Sequence, residues 1–265
     1  ISEKSRTLTL SDSAAVKTRI RKDVDYYQSR LSPDGKNIVY ASNDMGRYKV
    51  FLLNTETHKH KIIFRVGYRT NTQFTDESIP LLAWDPTGKK VGIINDKRSQ
   101  IFLRLYDLQT KKMDVHPVRK FQKVVSFSFV DSKQLVMSAT QSGQTDIYLY
   151  TIASTTTRKL TDDYYDDLYP CYIEADSLRG IMFSSNRPDE SLTPSRYESQ
   201  SILKTHDLFF YDLNASENPL YRITQTPFAD ETYPQNFSEK EYCYLSDENG
   251  IRNRYIGHFA SVFDQ

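Results

Sequence analysis

Short apolar runs separated by polar turns fill this chain, and the runs occur in sets of similar order. The first set begins at Asp25, passes through the turn Ser32-Pro33-Asp34-Gly35-Lys36, and continues with the runs Asn37 to Asp44 and Tyr48 to Leu53. Proline presets φ and glycine accepts a positive φ in such a turn, so we predict that the flanking runs are hairpin strands. No segment of helix length shows sustained helical periodicity, and helix should be nearly absent.

Further sets repeat this order along the chain. Together with the first, they begin near residues 25, 77, 123, 167 and 231. Their spacing of roughly 45 residues is typical of the four-stranded blade of a β-propeller. A short fourth strand follows the third in Thr157 to Thr161 and in Leu220 to Thr224. The pattern therefore predicts an all-β fold, a β-propeller of four-stranded antiparallel blades that forms one domain over residues 1–265.

The two ends of the chain leave the number of blades open. Residues 1–24 fit the outer strands of an adjoining blade, whereas the fifth set has no identifiable fourth strand. If the ring closes within this chain, the N-terminal strands complete the C-terminal blade and cover its edge. Five or six blades are then expected; otherwise the propeller is incomplete here. The chain begins at Ile1 without a signal peptide, which indicates a piece of a longer protein.

Composition supports a β-rich globular domain and excludes some partners. Hydrophobic residues form 38% of the chain and aromatic residues 13%, which suits half-buried strands around a sizeable core. Lys and Arg number 35 against 34 Asp and Glu, so we expect no nucleic-acid partner. No apolar run reaches the length of a membrane span. Cys171 and Cys243 lie among strand-forming residues without metal-ligand spacing, and we predict that they are small buried thiols.

The repeated motifs resemble those of TolB-type propellers. The segments that carry the resemblance are Leu31 to Asn43, Leu160-Thr161 with Asp167 to Pro170, and Arg222-Ile223-Thr224 with Asp230 to Pro234. The same repeat occurs in the propeller domains of prolyl-oligopeptidase-class enzymes. The third repeat lacks the Pro-Asp-Gly turn, and the fifth replaces it with Ser238-Glu239-Lys240.

A narrower resemblance concerns the loops that follow two of the second strands. Ser184 to Pro188 and Ser246 to Ile251 are similar to segments of TolB-related envelope proteins of Bacteroidota-type bacteria. The broader resemblance to TolB-type propellers covers nearly the whole chain. It implies a periplasmic or cell-envelope location and a protein or peptide partner, although propellers as a class host many unrelated functions.

Acidic residues recur in the loops that join the fourth strand of one blade to the first strand of the next. These acids are Asp25, Glu77, Asp163, Asp167 and Glu231, with the neighbouring Asp23, Asp76, Asp162, Asp166 and Asp230. Such loops share one face of a propeller, so the acids would form a negative rim that attracts a basic segment of a partner or a hard cation. Alternatively, each acid accepts hydrogen bonds from nearby backbone amides and fixes the turn between blades.

Basic residues occupy the loops between second and third strands, which share that face. They are Arg47, Arg98, Arg187 and Arg252. We expect them outside the acidic rim, where they contact a partner or form ion pairs between blades. The fourth repeat also carries an insertion from Pro188 to Thr205, which is long for a hairpin loop and therefore either functional or disordered. If it is functional, Arg196 and Tyr197 are the expected partner contacts, since both residue types are favoured at interfaces.

The sequence offers no catalytic constellation. It has no Gly-x-Ser-x-Gly elbow and no phosphate-binding glycine loop, so no catalytic residue and no cofactor is expected. His58 and His60 would share a strand face, but no third ligand accompanies them, and no metal site is predicted.

We therefore expect a non-catalytic scaffold that binds a protein or peptide. The first alternative is the substrate-gating propeller of a prolyl-oligopeptidase-class serine peptidase whose catalytic domain is absent from this chain. The second is a glycan-cleaving propeller with paired carboxylates.

Overall fold

The computed structural model describes residues 21, 24–69, 78–175, 178–192, 203–217 and 219–259. Regular structure in these ranges consists of 19 strands and no helix. The first eight strands are β1 Asp25–Leu31, β2 Asn37–Asp44, β3 Arg47–Asn54, β4 His60–Val66, β5 Leu81–Trp84, β6 Lys90–Lys97, β7 Gln100–Asp107 and β8 Met113–Val118. The others are β9 Lys123–Phe129, β10 Gln134–Gln141, β11 Gln144–Thr151, β12 Thr156–Lys159, β13 Asp167–Ala175, β14 Leu178–Ser185, β15 Asp207–Asp212, β16 Leu220–Arg222, β17 Thr232–Ser238, β18 Glu241–Ser246 and β19 Asn253–His258.

The strands form five antiparallel sheets, each in chain order. β1–β4, β5–β8, β9–β12 and β13–β16 are four-stranded, and β17–β19 form a three-stranded sheet within the described residues. These sheets are blades one to five of a β-propeller, and the predicted all-β fold class is confirmed. Their first strands begin at residues 25, 81, 123, 167 and 232. The predicted outer strands in residues 1–24 lie almost entirely outside the described part of the chain.

The described strands divide into two compact units. Blades one and two, β1–β8, make up one unit, and blades three to five, β9–β19, make up the other. In the first unit a buried cluster joins the two blades, formed by Val39, Ala41, Val50, Leu82, Val91, Ile93 and Tyr106. Trp84 packs against this cluster, and its Nε1 donates to the backbone carbonyl of Arg30 at 2.9 Å. Trp84 therefore belongs to the core between blades one and two.

Blade four uses both faces of its sheet in the second unit. Side chains alternate between the faces of a strand, so Ile181 and Phe183 of β14 point to one side and Met182 to the other. The first side packs on blade three in a cluster that includes Val136, Ile147 and Leu149. The second side packs on blade five in a cluster that includes Tyr242 and Tyr244. Within each unit of the described residues, apolar faces of neighbouring blades are thus buried against one another.

The tight turns form largely as the sequence predicts. At the first turn Gly35 adopts a φ of 70°, and the backbone N–H of Asn37 donates to Oγ of Ser32 at 2.9 Å. The third repeat lacks this motif, yet β9 and β10 still pair. There the carboxylate of Asp131 accepts a hydrogen bond from the backbone N–H of Lys133 at 2.6 Å, which supplies the turn without proline or glycine.

Both cysteines are free thiols in the second unit. Cys243 is buried on β18. The sulfur of Cys171 accepts a hydrogen bond from the backbone N–H of Asn236 at 3.3 Å, and burial raises the pKa of this thiol to about 12. A thiol with so high a pKa is a poor nucleophile, which fits a packing role.

Candidate functional site

Arg187 is fully buried in blade four, with 0% of its surface exposed. β13 pairs with β14 so that Ser185 lies opposite Asp167, and the chain leaving β14 therefore carries Arg187 back over the start of β13. Its Nη2 donates to both carboxylate oxygens of Asp167, at 2.8 and 2.7 Å. The same atom lies 3.0 Å from Oδ2 of Asp163, which comes from the loop between blades three and four. Two buried carboxylates thus share one guanidinium.

Aromatic rings enclose the guanidinium of Arg187. Its central carbon lies 5.6 Å from the ring centre of Tyr165, 5.8 Å from that of Phe183 and 5.5 Å from that of Phe209. The contacts between a cation and aromatic faces strengthen where water is excluded. Rings and carboxylates together therefore hold the guanidinium in one position.

Blade three adds a second ion pair to this cluster. Nζ of Lys159 lies 2.8 Å from Oδ2 of Asp146 and also pairs with the exposed Asp162. The backbone N–H of Asp163 donates to Oδ1 of Asp146 at 3.3 Å. We call this group, which joins blades three and four, the first junction: Asp146, Lys159, Asp163, Asp167 and Arg187.

The carboxylates of the first junction are spaced closely enough to hold a metal ion. One oxygen from each of Asp146, Asp163 and Asp167 lies within 4.8 Å of the others, and no second such group occurs in the described residues. A metal would have to compete with Lys159 and Arg187 for the same oxygens. Lys159 and Arg187 already pair with the three acids and leave one formal negative charge, so the geometry is that of an ionic lock between blades.

Burial changes the acidity of these carboxylates. It raises the pKa of Asp163 to about 6, with the charge of Asp167 adding to the effect and that of Arg187 opposing it. Burial also raises the pKa of Asp146, while the hydrogen bond to Lys159 opposes the rise. The first junction can therefore take up a proton in mildly acidic solution.

Blades four and five repeat this arrangement with different residues. The backbone N–H of Asp230 donates to Oδ1 of Asp247 at 2.8 Å, as that of Asp166 donates to Oδ1 of Asn186 at 2.9 Å. The first two residues of the loop after β18, Asp247 and Glu248, therefore correspond to Asn186 and Arg187 after β14.

The charges differ at the corresponding positions. Glu231 takes the position of Asp167, but Glu248 takes the position of Arg187. Glu248 is exposed, whereas Arg187 is buried. Blade five consequently has no counterpart of the buried arginine among the described residues.

The remaining positions of this second cluster also match. Arg222 pairs with Asp207, as Lys159 pairs with Asp146. The backbone N–H of Thr226 donates to Oδ1 of Asp207 at 3.4 Å. We call this group, which joins blades four and five, the second junction: Asp207, Arg222, Thr226, Glu231 and Glu248.

Glu231 is buried, at 2% exposure, with only part of its carboxylate satisfied. The hydroxyl of Thr226 donates to Oε1 at 2.9 Å, while Oε2 has no hydrogen-bond partner. Burial raises the pKa of Glu231 to about 6. The hydroxyls of Thr224 and Thr226 oppose this rise, and the charges of Asp207 and Glu248 add to it.

A cleft of about 390 Å³ opens beside the second junction. Three members of the junction line it, namely Asp207, Arg222 and Thr226. Nη1 of Arg222 is committed to the backbone carbonyl of Pro188 at 2.7 Å. The rest of the wall is formed by Leu203, Lys204, Thr205, Gln225, Pro227 and Phe228.

Two aromatic side chains project into solvent at corresponding positions of successive blades. Tyr164 precedes the first strand of blade four and is 67% exposed, and Phe228 precedes that of blade five and is 97% exposed. Phe228 also has a left-handed backbone, with a φ of 70°, which is costly for an aromatic residue. We call the surface around them, made of residues 161–166, 186–192, 224–231 and 247–252, the loop surface.

A stacked tyrosine pair lies next to the loop surface. Tyr169 of β13 and Tyr233 of β17 have ring centres 3.8 Å apart and an interplanar angle of 24°. Burial raises the pKa of Tyr169, and a hydrogen bond to Tyr233 adds to the effect. Nearby, Asp230 contacts Nδ1 of His206 at 2.8 Å and Nη2 of Arg252 at 2.9 Å.

The structure divides the predicted partner-binding residues into buried and exposed groups. The buried group consists of Asp163, Asp167, Arg187 and Glu231. Arg187 forms ion pairs with Asp163 and Asp167, as the ion-pair alternative expects, and Asp163 accepts a hydrogen bond from the backbone N–H of Tyr165. Glu231 accepts one from the hydroxyl of Thr226 instead. Because all four are buried, they do not form a solvent-exposed rim. The solvent-facing acids of the same loop are Asp162 and Asp166.

The remaining predicted residues have mixed environments. Asp25 and Arg98 are exposed, Arg47 pairs with Asp44, and Arg252 pairs with Asp230. Glu77, Arg196 and Tyr197 lie outside the described residues. A partner-binding role stays a prediction for all of these side chains.

Sequence reasoning missed Tyr164, Phe228 and the stacked tyrosines. A signal was present, because Tyr164 to Pro170 aligns with Phe228 to Pro234 without a gap. The alignment places an aromatic residue at the first and sixth positions of both segments. Which of those side chains face solvent could be read only from the structure.

Comparisons with known proteins support the fold. No protein-family model matches the chain, and no curated protein sequence matches it. TolB from Acinetobacter baumannii is similar in structure, with a TM-score of 0.56 at 16% identity over 88% of this chain and 54% of that chain. The β-propeller domain of the Trilobed protease from Pyrococcus furiosus has a TM-score of 0.59 at 16% identity, with 88% and 66% covered. An acylaminoacyl peptidase from Pyrococcus horikoshii has a TM-score of 0.55 at 13% identity, with 90% and 39% covered.

These similarities identify the fold as a TolB-like β-propeller, as the sequence motifs predict. The chain spans about half the length of the TolB structure that it matches. At such low identity the comparisons show the fold, and the function must be argued from the residues of the site. The described residues contain no helix that could cross a membrane.

Proposed function

We propose that this chain is a non-catalytic, TolB-like propeller that binds a protein or peptide in a bacterial cell-envelope protein. The partner docks on the loop surface of blades three to five. Tyr164 and Phe228 are the anchors of the docked partner.

One observation carries this proposal: corresponding loops of successive blades each present a large aromatic side chain to solvent. Exposed aromatic groups are favoured at protein interfaces, where their burial contributes most of the binding free energy. The left-handed backbone of Phe228 costs about 1 kcal/mol, and such local strain is common at binding sites. A role in folding alone does not account for it, since Phe228 is almost fully exposed.

The envelope location is supported by the resemblance to TolB-type propellers, and the same resemblance supports a protein partner. The non-catalytic role is supported by the absence of a nucleophile elbow from the sequence. The charged groups of the first junction are engaged between blades, which supports a structural use for them.

The test is capture of envelope proteins by the immobilised 265-residue chain, quantified by mass spectrometry. The double variant Tyr164→Ser/Phe228→Gly should lose the captured partner. Because glycine relieves the left-handed strain at position 228, the variant should remain folded, which circular dichroism verifies. Tyr221→Ser, at an exposed tyrosine on β16, is the matched control and should capture normally. Equal capture by the double variant would argue against this surface.

A second candidate is a substrate-gating propeller of a prolyl-oligopeptidase-class peptidase. It is favoured by the similarity to propellers of archaeal peptidases, of which this chain covers only part. The sequence of the parent gene decides between the two. A hydrolase segment with a serine elbow supports the peptidase, and a segment of another kind supports the envelope scaffold.

A further inference from the structure

Blade four supplies a cation to its own buried acid, and blade five does not. In the first junction the guanidinium of Arg187 contacts Asp167 and Asp163. In the second junction the position of Arg187 is taken by Glu248, which adds negative charge. Among the described residues, Glu231 forms no ion pair with a lysine or an arginine.

The unsatisfied carboxylate lies next to the cleft. Oε2 of Glu231 is buried without a hydrogen-bond partner. Oε1 is held by the hydroxyl of Thr226, and Thr226 lines the cleft. Thr226, and not Glu231 itself, lines the cleft, so the hydroxyl of Thr226 is the contact between the cleft and the buried carboxylate.

The walls of the cleft suit a long cationic side chain. Leu203, Pro227 and Phe228 provide apolar surface for an aliphatic stem. Asp207 and Arg222 neutralise each other in an ion pair. Glu231 and Glu248 then leave the region negative despite the exposed Lys204. In blade four the guanidinium of Arg187 shows how such a group is held, because it contacts carboxylates while aromatic rings enclose it.

We propose that this cleft receives an arginine side chain of the docked partner, and that its guanidinium binds Glu231 as Arg187 binds Asp167. Arginine is chosen over lysine because its planar donors can satisfy a carboxylate oxygen and a neighbouring hydroxyl together. The inference rests on the proposed function and names the chemistry of the partner on the same surface.

The test uses the capped tripeptide acetyl-Ala-Arg-Ala-amide as its probe. The matched control peptide carries citrulline, which keeps the shape of arginine and removes its charge. Nuclear magnetic resonance follows the side-chain carboxyl carbon of Glu231 in the ¹³C-labelled chain at neutral pH, assigned with Glu231→Gln. The arginine peptide should shift this signal saturably at roughly millimolar concentration, and the citrulline peptide should not. An equal response to citrulline overturns the inference.

A second variant keeps the test independent of the folding of Glu231→Gln. Glu248→Arg places an arginine where blade four has Arg187, so the protein should fill its own cleft. Binding of the arginine peptide, followed by backbone amide shifts, should weaken by about tenfold or more. Glu239→Arg, the same change at an exposed position outside the second junction and the walls of the cleft, is the control and should bind as the wild type does. Unchanged binding in Glu248→Arg contradicts the inference.

The outcomes separate this inference from the proposed function. If the wild type binds neither peptide but still captures an envelope partner through Tyr164 and Phe228, only the arginine site is wrong. If capture itself fails, the proposed function is wrong, whatever the tripeptide does.

Discussion

Successive blades carry opposite charges at one backbone position, Arg187 in blade four and Glu248 in blade five. The buried acid beside each position responds accordingly. Asp167 is paired with a guanidinium, whereas the carboxylate of Glu231 retains an unsatisfied oxygen. A buried charge is costly unless it is paired. Arg187 therefore stabilises the junction between blades three and four, whereas the junction between blades four and five keeps an acid that lacks such a cation.

Replacing Arg187 with methionine should strongly destabilise the unit of blades three to five. The change leaves Asp163 and Asp167 buried without their cation, and removing one partner of a buried ion pair costs about 3–5 kcal/mol. Arg179→Met is the matched control in the same blade, since Arg179 and Glu174 form an exposed pair worth about 1 kcal/mol or less. Urea unfolding at neutral pH measures both variants. If the two variants lost similar amounts of unfolding free energy, the buried ion pairs of Arg187 would not be what stabilises this unit.

Glu231 should make stability depend on pH. Its pKa is raised to about 6 by burial, and by the charges of Asp207 and Glu248, from an ordinary value of 4.5. The folded chain therefore binds the proton more tightly than the unfolded chain. The resulting stabilisation is fully present below about pH 4.5 and is lost as the pH rises through about 6.

The magnitude of this effect is on the order of 2 kcal/mol, since each pKa unit corresponds to about 1.4 kcal/mol. Glu231→Gln should remove the effect and raise the free energy of unfolding at neutral pH. Glu217→Gln, at an exposed position, is the control and should keep the pH dependence of the wild type. Chemical unfolding between pH values of about 5 and 7.5 measures the difference. An unchanged slope in Glu231→Gln would contradict this assignment.

At the scale of the element, the first strand of several blades carries the same bulge. The pairing register shifts around Gln28 in β1, around Tyr169 in β13 and around Tyr233 in β17. All three residues have a left-handed backbone, with φ values of 54°, 55° and 56°. Bulges redirect side chains, and here two of them bring the tyrosines of adjacent blades into a stack.

The stacked pair should show measurable coupling. In a double-mutant cycle, Tyr169→Ala and Tyr233→Ala should together cost less than the sum of the single changes, by about 0.5–1.5 kcal/mol. Alanine at both positions keeps a side chain on the left-handed backbone, so the cycle cancels the strain. Thermal or urea unfolding gives the four free energies. Strict additivity would show that the stack contributes nothing beyond the two separate side chains.

Strands and turns could be predicted from the sequence because their signals are local. A Pro-Asp-Gly turn between two apolar runs specifies a hairpin, and each repeat shows the same order of runs. Whether each acidic side chain of the loops points to the interior or to solvent could not be predicted. Residues 161–167 alternate between buried and exposed positions. In each of the pairs Asp162-Asp163 and Asp166-Asp167, the first aspartate therefore faces solvent and the second faces the interior. Because the two residues of each pair are identical, the sequence does not show which aspartate is buried.

The burial of Arg187 could not be predicted from the sequence either. The sequence places Arg187 in a loop outside the acidic rim, where it either contacts a partner or forms an ion pair between blades. Its burial depends on Asp163, Asp167 and three aromatic rings that come from separate elements. Only the packed structure of blades three and four brings them together.

At the scale of the molecule, the repeated fold explains why sequence motifs identify the architecture better than the activity. TolB and peptidase propellers share these blades at 13–16% identity. The blades provide a common scaffold, and function depends on the side chains that their loops expose to solvent. For this chain the loops present Tyr164 and Phe228, and the proposed function requires that a partner cover them.

Site-specific photo-crosslinking tests that requirement most directly. The photoreactive residue p-benzoylphenylalanine replaces Phe228 or Tyr164 in the chain produced in a bacterial envelope. The controls place it at Phe237 and Val115, which are also exposed. We expect one discrete protein adduct from positions 228 and 164 and none from the controls. Adducts of equal yield from all four positions, or from the controls alone, would contradict docking on the loop surface.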